Sequence, residues 1–266
     1  MITDAQIKTY ISSIPPAPTI LKNVLLLIQE GELSKAAQEA SLDPALTSYL
    51  QNIVNKPIYG FKNDIKDIKQ IFGVLGISLT EQIIYNYMIS LLTPKKWELF
   101  NLSNKNFADI QDNLGLLWKK ILIHKNIKDK TIYSSITLLP ASIIVCEELF
   151  KSKKEDILLL RSIKNLDYNT ILFRLSGMDL FDVCETIATQ WEMPKLIAKL
   201  IQASKGDTEE QDQEIIELSK WMHLLLFYQL SQSVCTQAEL NDFIEFNIDY
   251  VQDIYEEFQE LIMSEE

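Results

Sequence analysis

Apolar residues recur at spacings of three and four along almost the whole chain, the repeat of helices that turn one face toward a core. The pattern is densest in residues 41–76. There Asp43 precedes Pro44, and together they read as a helix start: the carboxylate can accept free first-turn amides, and proline at the first helical position lacks a donor that would have no partner. Leu46, Tyr49, Leu50, Ile53 and Val54 then share a face, until Asn55, Lys56 and Pro57 end the helix, because a residue before proline is pushed out of the helical region. Ile58-Tyr59-Gly60-Phe61 reads as a turn, and Ile65, Ile68, Ile71, Phe72 and Leu75 resume the spacing up to Gly76.

The flanking chain follows the same rule. Residues 2–14 predict a first helix, stopped by Pro15, Pro16 and Pro18. Thr19–Gln29 predicts a second, with Gly31 as its end cap, and 34–40 a short third. Ser78-Leu79-Thr80-Glu81 has the spacing of a capping box opening a helix to about Leu92. A long helix is expected over 104–126, with Ile110, Leu114, Leu117, Trp118 and Ile121 on its apolar side. Residues 131–150 hold Pro140 in their middle, where a helical proline costs about 3 kcal/mol, so a break is expected there. Helices follow over 155–163, 168–175, Leu180–Gln190 and 194–203, then a polar loop over 206–212. Further helices are expected over Gln213–Ser231, 238–246 and 249–263, the middle one opened by a second capping-box pattern, Thr236-Gln237-Ala238-Glu239.

Composition narrows the class. With 266 residues, 47% hydrophobic and 23% charged, the chain can bury a large core, and 7 glycines without alternating β-branched runs argue against a sandwich or barrel. The fold class expected is all-α. No apolar run reaches the roughly 20 residues a bilayer requires, and MITDAQIKTY lacks the basic and apolar parts of a signal peptide, so a cytoplasmic location is expected. Cys146, Cys184 and Cys235, odd in number and far apart, read as small buried side chains. The net charge of −12 is concentrated: residues 207–266 carry 16 Asp and Glu against Lys220 alone. Such a surface repels phosphate backbones and disfavours nucleic acid as a partner.

The 41–76 stretch resembles the HDOD family of bacterial signalling domains, whose "LDPaL…aNs.yyg" helix and turn lead into "I.si..Ai..LG". The matching residues are Leu42-Asp43-Pro44-Ala45-Leu46, Asn55, Tyr59-Gly60, Ile65, Ile68 and Leu75-Gly76. Ile14-Pro15-Pro16-Ala17-Pro18 is similar to the family's "LPplP" opening, and Trp191-Glu192-Met193-Pro194 to its "W.lP" element. The resemblance implies a two-lobed helical bundle over 1–206, with lobes of about 1–102 and 103–206, the second lobe like an HD domain. Residues 207–266 are then an acidic helical extension packed on the second lobe.

That kinship raises the question of metal chemistry, since HD phosphohydrolases hold metal ions on a His, a His-Asp doublet and a distant Asp. Where their "LLHDIG" would fall, this chain has Leu138-Leu139-Pro140-Ala141-Ser142-Ile143, so Pro140 and Ala141 replace the doublet. Lys120, in Leu117-Trp118-Lys119-Lys120, stands where the first His would be, and Leu180 and Ser204 stand where some relatives carry further histidines. The resemblance therefore implies a degenerate cleft lined by Trp118, Lys120, Pro140, Ala141, Leu180 and Ser204, with no catalytic residue, no metal ligand and no cofactor. His124 and His223, 99 positions apart, read as surface or half-buried helical residues. The function expected is non-catalytic signal transduction through protein partners, with neither nucleic acid nor membrane; the oligomeric state stays open. The alternative is a sensor that binds a nucleotide or similar anion in the degenerate cleft, drawn by Lys119, Lys120, Lys125 and Lys128.

Overall fold

The helix start read at Asp43 forms as its chemistry requires. In the computed structural model, which describes residues 4–13, 19–164, 166–206 and 210–263, the Asp43 carboxylate accepts from the amides of Ala45 at 2.8 Å and Leu46 at 3.1 Å, and Pro44 occupies the first helical position. The proline cluster at 15–18 and residues 207–209 lie outside the described residues. Described elements are helical, without strands: α1 (Asp4–Ser13), α2 (Thr19–Gln29), α3 (Leu33–Ala40), α4 (Pro44–Val54), α5 (Ile68–Ser90), α6 (Asn104–His124), α7 (Leu138–Lys151), α8 (Lys154–Lys164), α9 (Tyr168–Ser176), α10 (Leu180–Gln190), α11 (Lys195–Ala203), α12 (Gln213–Ser231), α13 (Ser233–Gln237), α14 (Ile248–Val251) and α15 (Tyr255–Phe258).

The chain divides into two compact units, Pro15–Leu91 and a larger one formed by Met1–Ile14 with Leu92–Glu266. This boundary falls earlier than the one expected near residue 102, and it assigns α1 to the larger unit, where it packs with α7, α9 and α10. In the smaller unit, α2 buries Leu21, Val24, Leu25 and Ile28, and α3 buries Ala36, Ala37 and Ala40. Asn55 explains its place in the motif: its side chain accepts from the Ile65 amide at 2.8 Å and donates to the Ile65 carbonyl at 3.1 Å, clamping the turn after α4.

The capping box at Ser78 is not where the next helix begins. Helix α5 breaks at Gly76, whose φ of 72° and ψ of 178° suit a residue without Cβ, and Thr80 Oγ1 donates back to the Gly76 carbonyl at 2.6 Å. Ser78 and Glu81 are already inside the helix, and Glu81 is buried, accepting from Gln29 Nε2 at 2.9 Å.

The break expected near Pro140 is displaced. Residues Lys130–Thr137 form a 3-10 segment and α7 starts at Leu138, so Pro140 lies in the first turn, where its missing amide has no helical acceptor to serve. Together, Thr131–Lys151 is long and apolar enough by composition to cross a bilayer, contrary to the expectation of no such run; 89% of that apolar window is buried inside the fold.

Helix α7 also carries the main polar anchor of the larger unit. The side chain of Glu147, fully buried, accepts from the amides of Glu98 at 2.5 Å, Leu99 at 3.1 and 3.2 Å and Phe100 at 3.0 Å, holding the segment ahead of α6. Phe100 then meets Tyr168 and Phe243 edge-on at 5.2 and 5.5 Å.

The acidic segment is folded into the same unit, with α12 packed on α6 and α11. The helix expected over 238–246 does not form. Thr236-Glu239 instead ends α13: Glu239 takes a φ of 60° and the Leu240 amide donates to the Cys235 carbonyl at 2.9 Å, a closing turn after which Leu240, Phe243 and Ile244 are buried from irregular chain. Over 249–263 the helix is interrupted by a 3-10 turn at Gln252–Ile254 and a π-turn at Gln259–Met263, although Val251, Ile254, Phe258 and Ile262 keep one buried face.

Asp43→Ala removes the acceptor for two first-turn amides, and a urea titration should show a loss of about 0.5–2 kcal/mol. Glu147→Gln replaces one of the two acceptor oxygens by a donor facing backbone N–H groups, so the same measurement should show a further-reaching loss of about 1–3 kcal/mol.

Candidate functional site

Five of the six predicted cleft residues are buried in packed junctions, and the sixth, Lys120, is half-buried. Trp118 on α6 is fully buried, and its Nε1 donates to the Ile132 carbonyl at 3.0 Å, tying α6 to the 3-10 segment; Lys120, on the next part of the turn, is half-buried. Pro140 and Ala141 are buried in the first turn of α7, and the following Ser142 returns its hydroxyl proton to the Leu139 carbonyl at 2.6 Å. Leu180, the first residue of α10, is fully buried against this turn, where the Cys184 thiol reaches the Leu138 carbonyl at 3.5 Å. Between these elements the side chains of Leu139, Leu180, Cys184, Ile201 and Leu226 leave a cavity of about 10 Å³. That is the space of a single water at most.

Ser204 belongs to a different junction, one the sequence did not reveal. It closes α11, and its carbonyl faces Nδ1 of His223 at 2.9 Å. A carbonyl can only accept, so Nδ1 carries the proton and Nε2 accepts from the Asn247 amide at 3.2 Å. His223 is thus fully buried and neutral, not a surface or half-buried residue, and burial moves its pKa below the ordinary 6.5. Phe246 stacks on the ring at 6.0 Å and Tyr250 meets it edge-on at 5.9 Å. Gly206 leaves room for this contact, because a Cβ there would come within 3.1 Å of the imidazole. No spacing rule joins residues 204, 223 and 247, so this cluster has no signature in the sequence. His124, the other histidine, pairs at 2.7 Å with Glu257 near the surface.

Beside that junction is a pocket of about 370 Å³, lined by Asn169, Phe181, Lys205, Glu245, Phe246 and Asn247. Its cation is answered within the fold: Lys205 Nζ lies 2.6 Å from the Asp179 carboxylate, which is buried and also caps α10 in a reciprocal box with Asp182. Among the lysines named for the sensor reading, Lys125 is likewise engaged, by Glu217 at 2.6 Å, Glu257 at 3.8 Å and the Trp221 ring at 5.4 Å. Burial pushes the thiols up, Cys184 to about 12 and Cys235 to about 11, which leaves them as thiols rather than nucleophiles. Among the described residues no three His, Cys, Asp or Glu side chains converge on one point.

Residues 14–206 match the HDOD domain. The chain belongs to the HDOD family. A crystal structure of an HDOD domain protein of unknown function from Geobacter sulfurreducens is similar over 94% of this chain and 84% of that one, with a TM-score of 0.64 at 16% identity. That degree of likeness establishes a shared fold. A virulence factor from Campylobacter jejuni subsp. jejuni aligns over 84% of this chain and 82% of its own, with a TM-score of 0.41 at 18% identity. No curated protein is similar enough to match. In this HDOD protein the motif residues Asp43 and Asn55 make capping and clamping bonds in the smaller unit, and Met193 of the late motif is buried next to α11.

The buried imidazole makes stability depend on pH in a defined direction. Its folded pKa lies below 6.5, so above that value both states are neutral and its full contribution is present; as pH falls below 6.5 the unfolded chain takes up a proton that the fold resists. Urea unfolding at about pH 8 and about pH 5.5 should therefore show a loss of stability in acid that is smaller in His223→Gln than in the parent protein.

Proposed function

We propose that this HDOD protein is a non-catalytic signal-transduction component that acts through contact with other proteins. The observation that carries the reading is the filled junction of α7, α10 and α11. Where the related hydrolases place a His-Asp doublet, Pro140 and Ala141 present no donor atom and are packed into the interior, and the adjoining space is about 10 Å³. A phosphodiester cannot reach water activated there. Partner recognition then falls to the outer surface, where the C-terminal segment exposes Asp249, Glu256 and Glu260 beside Asp253 and Glu257, which pair with Lys220 and with His124 and Lys125. A basic protein partner suits this field, and its encounter rate falls as salt screens it; phosphate-rich nucleic acid and anionic membrane do not suit it.

The sensor reading keeps one observation in its favour, the 370 Å³ pocket beside the His223 junction, with Lys205 on its wall. Its binding of an anion would require Lys205 to leave Asp179.

Two measurements on the purified protein test the proposal. Elemental analysis should find no stoichiometric transition metal, and incubation with cyclic dinucleotides and added Mn²⁺ should give no hydrolysis. A tightly bound metal together with metal-dependent turnover overturns the non-catalytic reading. A nucleotide that raises the melting temperature of the parent protein but not of Lys205→Ala moves the assignment to the sensor.

A further inference from the structure

Residues 245–248 run as irregular chain between buried points, Phe243 and Ile244 before them and Val251 after. Their own side chains give little to the core: Glu245 and Ile248 are exposed, and Phe246 and Asn247 are half-buried. A few polar bonds fix this strap, and Asn247 makes most of them. Its backbone amide donates to His223 Nε2 at 3.2 Å, its Nδ2 donates to the Gly206 carbonyl at 2.8 Å, and its Oδ1 accepts from the Tyr250 amide at 3.2 Å to start α14. Short segments with few bonds and little buried area are where a fold opens first.

We propose that His223 is an acid-operated latch on this strap: a proton taken up at Nε2 expels the Asn247 amide, and residues 245–248 open while the helices on either side stay folded. The imidazole can accept that amide only while neutral, since Nδ1 already donates its proton to the Ser204 carbonyl at 2.9 Å. In the doubly protonated ring, Nε2–H faces the Asn247 N–H, two donors without an acceptor between them. Turning the ring offers no relief, because both nitrogens are then donors and Phe246, Tyr250 and Gly206 pack around it.

The charged groups nearby are committed elsewhere. On α12, Lys220 is paired with Asp253 at 2.6 Å, and past the end of α11, Lys205 is paired with Asp179 at 2.6 Å. The carboxylates of Glu245 and Asp249 are exposed, and the Tyr250 hydroxyl donates to the Ala203 carbonyl at 3.0 Å. Among the described residues no carboxylate bonds the imidazole. A buried imidazolium without a counter-charge is costly, and burial accordingly holds the pKa of His223 below its ordinary value. Moving the strap hydrates the cation and separates the two donors in one step. The opening is confined by what lies beyond it: Val251, Ile254 and Phe258 are buried, and Asp253 is tied to α12 through Lys220. Because Glu245, Phe246 and Asn247 line the pocket of about 370 Å³, the latch also governs access to that pocket.

NMR of the full chain tests this. From about pH 7.5 to about pH 4.5, exchange of the Asn247 and Tyr250 amides, divided by the intrinsic rate that itself falls in acid, should rise about tenfold or more. Amides of α6 and α7 should keep their protection, and the midpoint should coincide with titration of the His223 ring. Because the chain has 2 histidines, His124→Gln leaves one ring signal and identifies it. In His223→Gln the normalised exchange of the two reporter amides should be the same at both pH values. A ring that titrates with the strap still protected, a strap that opens while the ring is neutral, no titration before the whole chain unfolds, or a His223→Gln strap that still opens in acid overturns the proposal. If His223→Gln does not fold, the coincidence of the two midpoints in the parent protein decides. None of these outcomes depends on which partner the protein contacts or on whether it is catalytic.

Discussion

A carboxylate buried without water is tolerated only when hydrogen bonds replace its hydration, and Glu147 meets that requirement with three consecutive backbone amides. The consequence spreads from there. Fixing the Phe100 amide fixes its ring against Tyr168 and Phe243, and Tyr168 in turn seats Arg161, which grips Asp242. Stretches around residues 100, 147, 168 and 242 are thereby joined into one core. Aromatic pairs at these separations contribute on the order of 0.5–1.5 kcal/mol each beyond their area, so the cluster is a substantial share of a marginal stability.

Holding α7 at Glu147 also holds its opening turn. With Pro140 and Ala141 pressed inward and the Cys184 thiol against the Leu138 carbonyl, the opening turn of α7 is part of the hydrophobic core. The second buried polar group, His223, does for α11, α12 and the chain at Asn247 what Glu147 does for α7. Both of its ring nitrogens are used by backbone, so neither is available to a ligand. Outside these junctions the larger unit carries an acidic C-terminal segment and a pocket at Lys205 whose cation is paired with Asp179.

Much of the fold was legible in the sequence because it depends on neighbours in the chain. Asp43 before Pro44, Gly31 after α2 and the Asn55-Lys56-Pro57 stop act through bonds a few residues long, and the bounds of α2, α4 and α10 follow from them and from the apolar spacing. Helical spacing also announced that residues 213–263 had a face to bury, despite their charge. Where two local signals competed, tertiary structure chose. Gly76 overrode the capping box at Ser78 by taking the positive φ at which α5 breaks, and Thr236-Glu239 closed a helix that its spacing said it should open, with Glu239 itself at positive φ.

The absence of metal-binding side chains at positions 140 and 141 could be read directly, since it is a matter of which atoms a residue possesses. Whether an open cleft lies beside them could not, because a cavity is what remains after residues as distant as Leu139, Leu180, Ile201 and Leu226 have packed. The same holds for Glu147 and His223. In sequence one is an acid in a helix and the other a lone histidine; their burial, their partners and the neutral state of the imidazole are set by backbone groups 47 to 49 and 19 to 24 residues away. Short-range hydrogen bonding is encoded residue by residue, whereas the desolvation that gives a polar group its role exists only once distant segments have closed around it.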